Sequence, residues 1–532
     1  MLYFISKKEG FHEDEIFSYG SSNYIGDNMF QPYGKQDSIN KVLVEKVVNS
    51  NFIQNFKNAR YYLKHLDSFI SYVNSVSDTT PVWKTSDEAK EYVTIKNDIP
   101  LKYNWVYFNQ SRDAHPPLFY MLVHTVSYIF KNTFSKYIIF TINLVFFVLS
   151  CIVIYNIFKI LNKNYLSILT LLFYGLSMGA LSTVLYQRMY MLLTFFVLYY
   201  LYVNLKIYKS GYKLTKRLKI ELFFVILLGF LNHYYFCVYV FIFAILMIIF
   251  MLKEKLYNRT IQYIKFHFFS SLLGVLLFPA SIYHIFFSYR GINNLDYSLN
   301  YFETLISHIQ TIFKAFTLPD IIGCFLIFAL AILLFLKVKK TKNKQVIILF
   351  VIPIILYVLI ISKIAPYIEL RYVMCVLPII CICIILSLDN ITRNKKLNIL
   401  IISFVVFIIS INGFMFGKPD FLYSSYSKNL DIAKENASLR FVYVGTTAFN
   451  HIQSIPEFMV YDYSLILNND QLDLLKTDES LSNETTFILS IKNYFNVDMI
   501  LIQVLENTGY SKYELLLNDN KDNENVIYKI ER

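Results

Sequence analysis

Five short polar motifs interrupt an otherwise apolar chain, and each carries side chains suited to acid–base or anion chemistry. Three consecutive acids, Glu13, Asp14 and Glu15, follow closely on the N-terminus. A carboxylate fixed at a membrane surface can take a proton from an attacking hydroxyl or hold a divalent cation beside a phosphate; the triplet also reads as a solvated acidic collar. In Asp113-Ala-His115-Pro-Pro-Leu118, the proline pair suits the first helical positions, where a missing N–H costs nothing. His115 then sits beside a helix N-terminus, which favours anions, and Asp113 adds a second carboxylate. Arg188, within Tyr186-Gln-Arg-Met-Tyr190, is either an arginine snorkelling to the interface or a phosphate ligand. His233, within Asn232-His-Tyr-Tyr-Phe236, breaks a long apolar stretch, where a lone histidine also serves as a packed structural residue. Arg371, two residues after Glu369, offers a planar fork that matches phosphate oxygens, unless Glu369 takes it in an internal pair.

The elements that must hold these groups are apolar runs. Of the 532 residues 55% are apolar and 17% charged, against about 25% charged in a soluble domain. A span needs about 20 mainly apolar residues. Ten runs qualify approximately, at 137–158, 165–185, 189–205, 220–232, 236–252, 266–288, 317–336, 345–362, 372–388 and 398–415. A weaker run at 116–130, opening on the proline pair, reads as a helix at the interface. The count predicts a polytopic α-helical membrane protein with about 10–12 spans.

Lys and Arg set the orientation. Alternate loops carry Lys159 and Lys163, the cluster from Lys206 to Lys219, Lys253 to Lys265, Lys337 to Lys344, and Arg393 to Lys396. The opposite loops hold few, so the first set is cytoplasmic under the positive-inside rule. Every polar motif named above then falls on the outer side. The net charge of +12 is spread over these loops rather than gathered in a patch, which excludes nucleic acid as a partner. The six cysteines all lie inside apolar runs, which points to packing rather than disulfides.

This pattern divides the chain into four parts. Residues 1–6 are apolar and too short to span, and read as the remnant of a first transmembrane helix. Residues 7–115 form a long first extracytoplasmic loop, with amphipathic stretches at 39–48 and 52–66 that suit interfacial helices. Residues 116–415 form the transmembrane core. Residues 418–532 turn sharply polar, and short β-rich runs at 440–444, 458–467, 486–491, 498–504 and 526–530 predict a small extracytoplasmic α/β domain.

In this order, Asp14-Glu15, Asp113-Ala-His-Pro-Pro-Leu118, Arg188-Met-Tyr190, His233-Tyr-Tyr235 and Arg371-Tyr372 resemble the bacterial C-type, family 39-like glycosyltransferases that use dolichyl- or polyprenyl-phosphate sugars. These are related to protein O-mannosyltransferases and to the lipid A aminoarabinose transferase. The resemblance covers roughly residues 8–415. It implies the GT-C fold in the plasma membrane, an outer-leaflet cavity for a polyprenyl-phosphate-sugar donor, and transfer with inversion to a protein, glycolipid or cell-wall polymer acceptor. Carried onto this chain, it makes Asp14 the catalytic base with Glu15 second, and His115, Arg188, His233 and Arg371 the donor-phosphate ligands. Asp113, Tyr190, Tyr234 and Glu369 support them. Relatives differ in metal use; a divalent cation (Mg, Mn or Zn) would fall to Asp14, Glu15 or Asp113. No nucleotide-binding glycine motif is present in the sequence, as suits a donor already activated as a phosphoester. The rival reading is a transporter or flippase of lipid-linked saccharides, a class that commonly shows internal repeats; none is evident here.

Overall fold

A computed structural model describes residues 1–24, 30, 32–33, 80–287, 300–317, 344–389, 391–445, 450–493, 496–518 and 525–532. The chain folds as two compact units. One comprises Met1, 114–119 and 140–420; the other comprises 2–113, 120–139 and 421–532.

The first unit is helical. Among the described residues, six helices are long and apolar enough to cross a membrane: Lys136–Ile160, Tyr190–Lys209, Tyr235–Lys253, Tyr257–Leu277, Gln345–Ile364 and Lys395–Phe416. A seventh span is broken, with Asn164–Gly175 and Met178–Leu185 bent by 63°. Its second half starts afresh because Ser177 caps it, accepting from the Ala180 N–H. The expected run at 220–232 is the C-terminal part of Lys216–Asn232, capped by Thr215. The run at 372–388 narrows to Leu377–Leu388, preceded by 3₁₀ turns at Leu370–Tyr372 and Met374–Val376. The run at 317–336 lies outside the described residues except for Thr317, as do the amphipathic stretches at 39–48 and 52–66.

Helix Tyr190–Lys209 is the most deeply buried of the six and Lys395–Phe416 the most exposed, the contrast expected between a central and a lipid-facing helix. Close packing fixes the neighbours of the broken span. A Cβ at Gly179 would lie 2.7 Å from side-chain atoms of both Ala315 and Leu377. At the Lys-rich end, Asp389 binds Lys163 and accepts from the Tyr165 hydroxyl at 2.8 Å.

The second unit is built on a mixed six-stranded sheet in the order β1-β3-β2-β4-β6-β5. The strands are β1 (Lys84–Thr85), β2 (Arg440–Gly445), β3 (Tyr463–Asn468), β4 (Thr486–Lys492), β5 (Lys512–Asn518) and β6 (Asn525–Glu531). Strand β2 runs parallel to β3 and β4; the other pairs are antiparallel. One face, with Val442, Val444, Leu465, Leu467, Leu489 and Ile491, packs against Ile500, Leu501 and Val504 of helix Val497–Thr508. That helix corrects the strand expected at 498–504. Asn496 caps it, accepting from the Met499 N–H, and Gly509 ends it at φ 74°, a left-handed geometry that glycine adopts without strain. Pairing of Lys84 with Ser464 brings the N-terminal polar region into the same sheet.

Helix Glu13–Asn23 belongs to this unit. It sits close to Ser86–Val93, because a Cβ at Gly20 would meet the Tyr92 ring at 2.1 Å. Asn23 donates to the Val93 carbonyl at 2.9 Å, and Asn109 donates to the carbonyls of Ser21 and Tyr24.

Candidate functional site

The first unit gathers four of the expected anion-binding residues at breaks between helices. Arg188 lies in the non-helical link between Met178–Leu185 and Tyr190–Lys209. Two amides pin that link: Asn143 donates to the carbonyls of Val184 and Tyr186 at 3.2 and 2.8 Å, and Asn232 donates to that of Met189 at 3.4 Å. A break in a helix exposes backbone acceptors that must find donors inside the protein, and these asparagines supply them. Arg188 is 2% exposed.

His233 lies between Lys216–Asn232 and Tyr235–Lys253 and forms the centre of a ring cluster. Its imidazole is 5.7 Å from that of His115, 5.4 Å from the Tyr190 ring and 4.7 Å from the Tyr235 ring. The Tyr235 N–H donates to His233 Nδ1 at 3.1 Å, so the neutral ring carries its proton on Nε2. Burial holds His233 well below the usual histidine range, and the positive fields of His115, Arg188 and Arg371 push the same way. The guanidinium groups of Arg188 and Arg371 beside this ring make a positive potential, which suits an anionic ligand.

Arg371 enters on the 3₁₀ turn Leu370–Tyr372. Its Nη1 donates to the Tyr186 hydroxyl at 2.8 Å and its Nη2 to Glu369 Oε1 at 2.8 Å. The expected internal pair therefore exists, yet Glu369 is a third exposed, so water screens its charge. The turn is itself held: Tyr357 donates to the Tyr372 carbonyl at 3.1 Å, and the His308 ring lies 6.3 Å from the Tyr372 ring. The Tyr186 ring stacks on Tyr190 at 5.6 Å. Tyr234, expected to support the site, lies with its hydroxyl 2.8 Å from His284 Nδ1.

The carboxylate candidates lie in the second unit, and the structure separates Asp14 from Glu15 chemically. Glu15 is fully buried, bonded by Lys8 at 2.8 and 3.1 Å and by the His12 N–H at 2.7 Å. His12 in turn caps the helix, accepting from the Asp14 N–H at Nδ1. Glu15 is thus half of a capping box and the partner of a buried lysine, whose pKa burial draws down against the pull of Glu15. The Asp14 carboxylate keeps 17% exposure and lies 3.8 Å from His12 Nδ1. Asp113 follows helix Tyr103–Ser111, its N–H donating to the Gln110 carbonyl at 3.1 Å. Among the described residues, no three His, Cys, Asp or Glu side chains converge as a metal-ligand set.

Replacing Glu15 by Gln tests this division. The variant keeps an acceptor for the His12 N–H but strips Lys8 of its counter-charge, and breaking a buried pair costs about 3–5 kcal/mol. Thermal unfolding of the detergent-solubilised protein should shift down clearly, with activity per folded molecule retained.

Sequence reasoning did not single out Asn143, Tyr186 or Lys8. The available signal was their polarity: asparagine and lysine beside or within apolar runs must be satisfied internally.

The spans and the helix breaks define a multi-pass membrane protein with an α/β sheet unit. No family model matches the chain, and no curated protein matches it. Among solved structures, it is similar to ArnT from Cupriavidus metallidurans bound to undecaprenyl phosphate, with a TM-score of 0.50 and 10% identity over 78% of this chain and 87% of that one. It is also similar to the apo state of the same protein, with a TM-score of 0.48, 10% identity and the same coverage. The first likeness shows that the chain has the polytopic GT-C fold.

Proposed function

We propose that this protein is an integral membrane glycosyltransferase that moves a sugar from a polyprenyl-phosphate donor to an acceptor outside the cytoplasm, with inversion. The observation that carries this reading is the buried group of Arg188, Arg371 and His233 at helix breaks, with the half-buried His115 ring 5.7 Å from that of His233, in a chain with the fold of a protein crystallised with undecaprenyl phosphate. Lipid phosphate needs cationic donors in a site screened from water, and planar guanidinium groups match its oxygens.

In this reading Asp14 accepts the proton of the acceptor hydroxyl as its oxygen bonds to the anomeric carbon. The bond from that carbon to the phosphate oxygen breaks, and its electron pair leaves on the polyprenyl phosphate. The guanidinium groups of Arg188 and Arg371 take up the growing negative charge, and the Nε2 proton of His233 is available to the same oxygens. Tyr190 and Tyr186 line this group. A divalent cation, if used, falls to Asp14 or Asp113, since Glu15 is engaged by Lys8. The Lys- and Arg-rich loops support a cytoplasmic end opposite the site. Acceptor classes are protein hydroxyl, glycolipid and cell-wall polymer.

The bent pair Asn164–Gly175 and Met178–Leu185 also suits a transporter or flippase of lipid-linked saccharides, since such proteins use broken helices. One assay separates the two. Full-length protein in proteoliposomes with radiolabelled polyprenyl-phosphate sugar should form a labelled glycosidic product; label crossing the bilayer still attached to lipid would replace this proposal with the transporter.

A further inference from the structure

Residues 418–532 were expected to form a small extracytoplasmic α/β domain, and one of their hydrogen bonds reaches Phe11, just before the N-terminal acids. Gln453 lies in the 3₁₀ turn Asn450–Ser454. Its Nε2 donates to the Phe11 carbonyl at 3.2 Å, and its Oε1 accepts from Lys492 Nζ at 3.3 Å. Lys492 ends β4 and is 3% exposed. The orientation of this amide is chemically forced: an ammonium can only donate and a carbonyl can only accept, so the flipped amide would lose both bonds.

The surroundings brace the same turn. The Tyr426 hydroxyl is shared between the Gln453 carbonyl at 3.2 Å and Glu457 Oε1 at 3.0 Å. Glu457 is 1% exposed, and its burial lifts its carboxyl to about 7. Tyr426 also packs on Gly10, where a Cβ would come within 2.8 Å of it. On the other side of the same segment, Lys8 donates to the Phe421 carbonyl at 2.5 Å while holding Glu15, and the Phe11 ring rests on Phe134 at 4.9 Å.

We infer that the C-terminal α/β fold is the mount of the acid-bearing helix, and that Gln453 is a positioning residue acting on Asp14 through the Phe11 carbonyl and the His12 cap. Phe11 directly precedes the cap, the point at which the direction of helix Glu13–Asn23 is set. A base displaced by about 1 Å loses on the order of 10²-fold in rate, so a single hydrogen bond at this point reaches the chemistry. The inference rests on the reading of Asp14 as the base.

Gln453→Leu removes both bonds. Gln453→Glu keeps the Lys492 bond and the side-chain size, and turns an oxygen toward the Phe11 carbonyl. In the full-length protein both variants should lower kcat about 10-fold or more with the KM for the polyprenyl-phosphate sugar unchanged, a split that general destabilisation does not produce. Hydrogen exchange at the amides of residues 12–16 should rise in both. Unchanged exchange in the two variants overturns the inference, as does a loss carried by donor KM. Raised exchange with unchanged turnover leaves the mount standing and removes Asp14 as the base.

Discussion

If Asp14 is the base as proposed, Asp14→Asn should cut turnover by about 10²–10⁴-fold, the range a positioned general base contributes. The helix cap should survive the substitution because the fold of this segment does not use the Asp14 carboxylate as its cap. The cap is made by His12 Nδ1 on the backbone N–H of residue 14, and by Glu15 on the backbone N–H of His12. Both survive in the variant. Losing one acid from the first turn of a helix costs about 0.3–1 kcal/mol, which full-length protein in detergent should tolerate with little change in melting temperature. An amide of the same shape can still hold the acceptor hydroxyl but cannot receive its proton, so the loss should fall on kcat. Asp14→Glu should retain partial turnover. The measurement is single-turnover transfer from a radiolabelled polyprenyl-phosphate sugar. Wild-type rates in Asp14→Asn would pass the role to Asp113, since Glu15 is bound to Lys8.

Much of this arrangement was readable in the residues, and the reason is energetic. Charged side chains are expensive near hydrocarbon, so Arg188 and Arg371 beside apolar runs stand out as candidates in the sequence alone. His115 and His233, distant in sequence, do meet at 5.7 Å, as their common placement at helix breaks on one side of the chain implied. Choosing between Asp14 and Glu15 needed more than composition. The spacing of His12 and Glu15 is that of a capping box, but histidine is an unusual cap, and the signal passed unused. The pairing of Lys8 with Glu15 exists only in the fold. The asparagines that pin the Arg188 link left no periodic trace, because a side chain that satisfies a broken helix answers to three-dimensional need rather than to a repeat.

The sheet shows the complementary failure. The stretch 498–504 is apolar and β-branched enough to suggest a strand, yet the Asn496 cap and Gly509 close it as a helix. Short apolar runs are ambiguous between the two periods, and the flanking cap and glycine should have decided. Strand β1 was invisible for a different reason. Two residues, Lys84 and Thr85, carry no pattern of their own and are strand only because β3 lies beside them. Composition changes sharply near residue 418, and the residues beyond 420 share one compact unit with residues 2–113.

Arg371→Lys should cost about 10²–10³-fold in kcat, the effect of removing one preorganised donor aimed at developing charge. Lysine keeps the positive charge, so any effect isolates the planar fork. The guanidinium donates through Nη1 to the Tyr186 hydroxyl and through Nη2 to Glu369 at once, an arrangement that a point-charge ammonium cannot reproduce. Folding should be largely spared: Glu369 is a third exposed and remains solvated when its partner retreats, while the turn beneath is held by Tyr357 on the Tyr372 carbonyl. The companion variant Glu369→Gln distinguishes two roles for the pair. If Glu369 only orients Arg371, its loss should be mild, within about 10-fold, and the double variant should be no worse than Arg371→Lys alone, as expected for residues acting as one unit. If Arg371 instead serves only as the counter-charge of Glu369, the single lysine variant keeps full turnover. Transfer assays on the three proteins, with melting temperatures measured alongside, separate these outcomes. A fully active Arg371→Lys protein would leave Arg188 and the two histidines to carry the leaving phosphate without a second guanidinium.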